Sequence, residues 1–216
     1  MTLAISAIVP VRNVADYVHD ALTSVFAQEH PPDEVVVVDG GSTDATLTVV
    51  AEFTEVRVVH QTGDGLADAR NVGVHATDGE LVAFLDADDR WTPGKLAQQR
   101  EWLAAHPDVG VVTGMMLKVG PGGDPTPVPG MTPGATLIRR DALRRVGPFD
   151  GRHGIGADTD WLMRVREAGL GPALVDAVVL HKGTRGDSLS RDIEGYRRDL
   201  LRVAREAVRR REGRTP

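Results

Sequence analysis

Four short, mostly apolar runs, at residues 3–9, 34–38, 56–60 and 81–85, constrain this chain more than anything else in it. Each is followed by a turn and then a stretch of helical character. Buried parallel strands joined by crossover helices leave this trace in a sequence. Between the first two runs, Val14, Val18, Ala21, Leu22, Val25 and Phe26 recur at helical spacing, with Asn13 placed to cap and Pro31-Pro32 to stop the helix. Good capping residues in the turn at 39–44 predict a second helix over 45–53. A third helix is predicted over 66–76. Pro93 suits the first turn of a fourth, which runs to His106 ahead of a strand at 109–116.

The character changes at Lys118. Residues 118–133 hold five prolines among several glycines, so this stretch reads as a long loop or lid without regular structure. Beyond it the pattern predicts a strand at 135–138, a helix at 141–146, a Gly-rich turn at 149–156, a helix at 158–168 and a strand at 173–180. A polar loop at 182–190 precedes a basic helix at 193–211. The division that follows is one α/β domain over 1–190, its halves 1–117 and 118–190, and a C-terminal amphipathic helix and tail over 191–216.

At 216 residues the chain can bury one sizeable core. Its net charge of −6 argues against a general nucleic-acid binder. The absence of cysteine excludes disulfides and thiolate metal sites. The first apolar run has no basic leader and is broken by Pro10 and Arg12, and nothing reaches the ~20 apolar residues of a spanning helix. The expectation is a soluble, cytoplasmic protein.

Asp86-Ala87-Asp88-Asp89 follows the fourth apolar run directly, so its carboxylates emerge together at the C-terminal end of a buried strand. Crowded carboxylates raise one another's pKa unless a cation sits among them. A hard divalent ion with oxygen ligands supplies that cation and commonly brings phosphate with it. A solvated acidic turn would carry the same letters. Asp39 occupies the equivalent place after the second run, in a Gly-Gly turn, where a local cap is the competing reading. Open α/β sheets bind ligands beyond the carboxyl ends of their strands, so acids at two such ends face one site. Residues 63–71 form a further Gly-rich turn entering a helix, from which Arg70 could reach a phosphate or base, or pair with a surface acid. Neither a dinucleotide fingerprint nor a P-loop is present. Asp158 and Asp160 open a helix, where capping explains one of them; spaced i and i+2, they point apart. A carboxylate there that faces a sugar hydroxyl could act as general base.

Taken in order, Ser6–Asn13, Val35–Asp44, Gly65–Asn71, Phe84–Asp89, Gly134–Arg140, Gly147–Asp150 and Asp158–Asp160 resemble the family-2 glycosyltransferases over roughly residues 3–190. The resemblance implies the GT-A fold, a mostly parallel Rossmann-like sheet flanked by helices, with a nucleotide-sugar half (1–117) and an acceptor half (118–190). It implies metal-dependent, inverting transfer of a sugar from a nucleotide diphosphate donor. Asp39 matches the acid that pairs with the donor base, and Pro10, Val11, Asn13 and Arg70 fall in the same donor pocket. Asp86 and Asp88 match the D-x-D acids that hold ribose and Mg²⁺ or Mn²⁺, with Asp88 as direct ligand. Asp158 matches the catalytic base. Two positions depart from the family. Ala157 stands where a helper Glu precedes the base, and Arg185 stands where a metal-binding histidine is usual. Either His181 reaches the metal instead, or Arg185 contacts the diphosphate.

The acceptor is not legible: a glycan, a lipid-linked sugar and a small molecule all fit. Trp91 and Trp161 could offer stacking faces for sugars. A catalytically silent nucleotide-sugar binding module is the alternative that Ala157 and Arg185 motivate. A sugar nucleotidyltransferase would need a Gly-rich basic loop after the first strand, which residues 11–14 do not supply. Finally, Tyr196, Leu200, Leu201, Val203, Ala204, Ala207 and Val208 form a broad apolar stripe among arginines. It predicts a helix docked on its own domain, a homodimer contact, or peripheral adhesion to anionic lipid at the inner face of a membrane.

Overall fold

A computed structural model describes residues 3–119, 125–183 and 193–213. Nine strands among them form one sheet. β1 (Ile5–Val11), β2 (Glu34–Asp39), β3 (Val56–His60) and β4 (Leu81–Phe84) are parallel, in the order β3-β2-β1-β4. The sheet continues through β8 (Thr136–Arg139), β6 (Val111–Val119), β9 (Ala173–His181) and β5 (Arg90–Trp91), with β7 (Pro125–Pro129) also paired to β6. β8 runs antiparallel to both β4 and β6, while β6 and β9 are parallel. The sheet is thus parallel over its N-terminal half and mixed beyond β4.

Alternation along the strands sorts side chains into two cores. Ile5, Ala7 and Val9 of β1, Val35 and Val37 of β2 and Leu81 and Ala83 of β4 face α1 (Ala15–Phe26) and α4 (Lys95–Ala105). Ile8, Val36, Val38, Val82 and Phe84 face the opposite layer, with α3 (Gly65–His75), α5 (Arg140–Val146) and α6 (Ala157–Glu167). Burial on both faces explains why these strands are apolar throughout. Each fully buried Val, Leu, Ile or Phe contributes about 2 kcal/mol. α3 lies so close to β1 that a Cβ on Gly73 would collide with the Ile8 side chain; a methyl there would push α3, and the residues it carries, off the sheet.

The structure corrects the sequence reading at three places. Asn13 does not cap α1: it sits at φ +51°, and Val14 is the N-cap. Its side chain instead accepts the Thr43 N–H at 2.8 Å, joining the β1 and β2 loops. The stretch 118–133 is not wholly irregular either. β7 pairs with β6 from Val119↔Pro125 to Met115↔Pro129, so the prolines belong to a hairpin. They fit because proline is tolerated on an edge strand wherever the ladder needs no N–H. The helix predicted over 45–53 shortens to α2 (Thr46–Val50).

α7 (Ile193–Glu212) docks on the domain. Val203 and Ala207 are buried, and Arg210 reaches Asp160 at 3.1 Å and Glu167 at 2.9 Å. The predicted apolar stripe splits: Leu201 and Val208 face outward, 59% and 53% exposed. The Tyr196 side chain lies outside the described residues.

Candidate functional site

The carboxyl ends of β2, β1 and β4 lie side by side on one edge of the sheet. Asp39 ends β2 opposite Val11, and the backbone continues through Gly40, whose N–H donates to the Val11 carbonyl at 2.9 Å. The Asp39 carboxylate accepts the Ser42 N–H at 3.0 Å and lies 3.4 Å from His60 Nδ1. Burial pushes its pKa up, but the hydrogen bonds from Ser42 and His60 outweigh it and hold the carboxyl below its ordinary value. Both readings of Asp39 are therefore compatible: it braces its own turn and stays ionised. Pro10 and Val11 are buried in β1 beneath it, and Asn13 N–H donates to Ser42 Oγ at 3.1 Å.

The acidic turn leaves β4 next to β1, with the Leu85 N–H on the Ile8 carbonyl at 3.0 Å and the Asp89 N–H closing back on Asp86 O at 2.9 Å. Its three acids have different fates. Asp89 is buried, and its carboxylate accepts the Gly183 N–H and Lys182 Nζ, each at 2.9 Å. Asp86 accepts Arg70 Nη2 at 2.9 Å and lies 3.4 Å from Lys182 Nζ. Asp88 is half-buried, and among the described residues none donates a hydrogen bond to its carboxylate.

Arg70 joins this turn to the start of α6. The guanidinium is 1% exposed and donates through Nη1 to Asp158 and through Nη2 to Asp86. Phe149 lies beneath it, ring centroid 5.7 Å from the guanidinium carbon, stacked on Trp161 at 5.1 Å and edge-on to Phe84 at 5.5 Å. Asn71, next along α3, exchanges two 2.9 Å hydrogen bonds with the Phe149 backbone. The segment that leads to Asp158 is thereby latched to the helix that carries Arg70. Asp160 points the other way, into Arg164 at 2.8 Å and Arg210 at 3.1 Å, as i, i+2 spacing predicts. Neither acid makes a side-chain capping bond to α6.

The charges tune one another. Burial would raise the Asp86 pKa, but Arg70 and Lys182 together hold it low. Burial pushes Asp158 up, with Arg70 opposing and the Asp86 charge adding. Asp89, the most enclosed of the turn's acids, is pushed up by burial to about 7 despite Lys182. Arg70 and Lys182 are both raised, since the surrounding carboxylates outweigh their own desolvation. Arg70 Nε is buried without a hydrogen-bond partner among the described residues.

Of the residues singled out from the sequence, the structure brings Asp86, Asp158 and Arg70 into contact, with Asp88 on the same turn as Asp86; sequence reasoning passed over Lys182. One signal could have found it: Lys182 is one of three lysines in the chain and directly follows the last strand. His181 ends β9 exposed, with no hydrogen bond or ion pair to the acidic turn among the described residues. Arg185 lies outside the described residues. Trp91 and Trp161 are both buried, their indole N–H groups on the carbonyls of Gly134 and Gly147 at 3.0 Å, so neither offers a stacking face. A hollow of about 570 Å³ lined by Phe149, His153, Asp160, Glu206 and Arg210 is separate from the acidic turn.

A divalent cation is implied by the resemblance, and the donor chemistry suits one. The candidate ligands are carboxylate oxygens, hard donors for a hard ion, and among the described residues none donates to the Asp88 carboxylate. Among the described residues no group of three or more His, Asp or Glu side chains could hold an ion unaided. Mg²⁺-type sites built from one or two carboxylates, with substrate phosphates completing the shell, have that character.

A profile of glycosyl transferase family 2 matches residues 6–163, and the chain belongs to that family. An uncharacterised glycosyltransferase of Nostoc sp. is 40% identical over 115 residues, which cover 51% of this chain and 36% of the relative. The TarS fragment 1–349 of S. aureus, in complex with UDP-GlcNAc, superposes with a TM-score of 0.78 at 22% identity, covering 94% of this chain and 66% of that one. The mannosyltransferase PcManGT of Pyrobaculum calidifontis, in complex with GDP-Man and Mn²⁺, superposes with a TM-score of 0.77 at 24% identity, over 97% and 65%. At these identities the superpositions establish the shared fold. The chain spans about a third of the Nostoc relative's length and about two thirds of the two structural neighbours'.

Proposed function

We propose that the chain transfers a sugar from a nucleotide diphosphate-sugar to an acceptor hydroxyl, with inversion and with a divalent cation. The observation that carries this is the Arg70 bridge. It holds an acid of the strand-end turn and an acid of α6, far apart in sequence, around one guanidinium. Asp39, Pro10, Val11 and Asn13 would receive the nucleoside at the adjoining ends of β1 and β2. Asp86 and Asp88 would face the ribose and diphosphate, with His181 or Arg185 as further contacts from the end of β9 and beyond. A bound Mg²⁺ or Mn²⁺ would neutralise the diphosphate as it departs.

Asp158 would take the proton of the attacking hydroxyl. Arg70 supports that role in two ways: it fixes the carboxylate's direction, and its charge opposes the upward push of burial on the pKa. Inversion follows from one base and one displacement, with the acceptor entering opposite the departing diphosphate. A thermal-shift panel of nucleoside diphosphates and nucleotide sugars, with and without Mn²⁺, tests the reading. Stabilisation by one nucleotide family only with metal is expected, and loss of it in Asp88→Ala. Donor binding without turnover or slow donor hydrolysis would select the silent-module alternative, which Ala157 favours.

The outer face of α7 is the surface that would meet a membrane. Leu201 and Val208 are exposed there between Arg197, Arg198, Arg205 and Arg209, an apolar line with cations on both sides. No helix among the described residues is long and apolar enough to cross a membrane. This face would lie on an anionic bilayer and bring the site to a lipid-linked acceptor. Pelleting with phosphatidylglycerol vesicles checks it. Binding should be lost in the Leu201→Asp/Val208→Asp double variant; equal pelleting, or a dimer in place of lipid binding, would end the idea.

A further inference from the structure

We infer that Lys182 is a tethered counter-cation that occupies the acidic turn in the nucleotide-free protein and competes there with a free divalent ion. The inference rests on the metal-and-diphosphate reading above and adds a control to it. Lys182 Nζ lies 2.9 Å from Asp89 and 3.4 Å from Asp86, so one ammonium spans two of the turn's three carboxylates. It is held there by backbone. The Lys182 N–H donates to the Leu117 carbonyl and the Gly183 N–H to Asp89 Oδ1, each at 2.9 Å. Gly183 packs so tightly on the Asp88 carbonyl that a Cβ would collide with it. The end of β9 is therefore fitted against the turn, and the lysine is part of that fit.

The electrostatic consequence is direct. Arg70 already takes up charge from Asp86 and Asp158, and Lys182 takes up charge from Asp86 and Asp89. An ion arriving alone meets one carboxylate without a donor among the described residues, Asp88, in a field that two fixed cations have weakened. An ion arriving with a diphosphate brings its own anionic ligands, and the lysine then has phosphate oxygens to turn to. The turn would thus discriminate between a bare ion and a nucleotide-bound one, because the site's own cation makes the bare ion compete.

Mn²⁺ titration of the full chain, with free ion read by electron paramagnetic resonance, tests this without any turnover. In the absence of nucleotide, Lys182→Met and Lys182→Gln should bind Mn²⁺ at least tenfold more tightly than the parent, and Lys182→Arg should stay near it. Mn²⁺ alone should also raise the melting temperature of Lys182→Met more than that of the parent, which confirms that the variant is folded and that the ion takes the ammonium's place. Adding UDP, and separately GDP, should narrow the difference in the presence of whichever one binds. Equal or weaker Mn²⁺ binding by the neutral variants, or none by either, overturns the inference and leaves Lys182 a structural brace. If neither nucleotide binds at any Mn²⁺ concentration, it is the nucleotide reading that fails, while the nucleotide-free comparison still decides the role of Lys182.

Discussion

One lysine of this protein is fully buried and another is half-buried, and their surroundings are opposites. Lys182 sits among carboxylates at the edge of the sheet. Lys95, in the first turn of α4, is fully enclosed, and among the described residues its ammonium has Gln99 Oε1 at 2.8 Å, the Thr136 carbonyl at 2.9 Å and the Trp91 ring at 4.6 Å. Burial without a counter-charge pulls Lys95 down to about 7, whereas the acids around Lys182 push it up. The difference teaches that burial alone does not decide whether a lysine is charged; the partner does. It also separates a region that stores charge for a ligand from one that is simply expensive to ionise.

Removing the charge that both halves of the site share should have the largest effect. Arg70→Ala leaves Asp86 and Asp158 facing each other without the guanidinium that joins them, with Lys182 as the remaining cation on Asp86, and should cost about 3 kcal/mol, the low end for a broken buried pair because both acids are partly solvated. Urea unfolding at pH 7.5 measures it; a loss below 1 kcal/mol would mean the bridge is ornamental.

Lys182→Met should cost less, and in a pH-dependent way. Asp89 titrates at about 7 with the lysine present, and removing the lysine raises it further. A carboxyl with a raised folded pKa is neutral in the folded state below that value, so it needs no counter-charge there. The variant's deficit should be evident at pH 8, roughly 1–2 kcal/mol, and should shrink as the pH falls to 5. A deficit that grows on acidification would break the comparison.

Lys95 gives the opposite slope. The folded protein sheds its proton near 7 while the unfolded chain keeps it to about 10.4. Between those values the unfolded state binds more protons, so stability rises with pH by up to about 1.4 kcal/mol per unit. Lys95→Met should flatten that rise, seen as the difference between parent and variant melting temperatures from pH 7 to 10. The smallest effect on stability belongs to Asp88→Asn, within about 0.5 kcal/mol of the parent because no hydrogen bond to the described residues is lost, though metal-dependent stabilisation by nucleotide should disappear.

Much of this was readable from residues alone. Three of the parallel strands, β1, β2 and β4, were legible because both faces are buried and their runs are mostly apolar, while the half-exposed β3 followed from its place in the strand-turn-helix repeat. The acids at the ends of β2 and β4 followed from strand direction. What escaped has a common physical cause. Asn13 was taken for a cap because a helix N-terminus is a local pattern, while its real partner, Thr43, is 30 residues away. The β6–β7 hairpin was hidden because proline argues against a strand, and only the register reveals that its missing N–H is not needed. Lys182 was missed because nothing local marks a lysine that meets acids more than 90 residues earlier. Lys95 reads as an ordinary polar position of an amphipathic helix, and its enclosure depends on where β8 passes.

The prolines of β7 have one more consequence. Pro125, Pro127 and Pro129 alternate along the strand, so whichever side their nitrogens face offers no donors, and Thr126 and Val128 are left to serve the ladder with β6. The outer rim of the hairpin is consequently mute: a stray extended segment finds carbonyls there and nothing to give it a hydrogen bond in return. An exposed ribbon that would otherwise invite unwanted strand addition can stand in water beside the mixed half of the sheet without recruiting its neighbours.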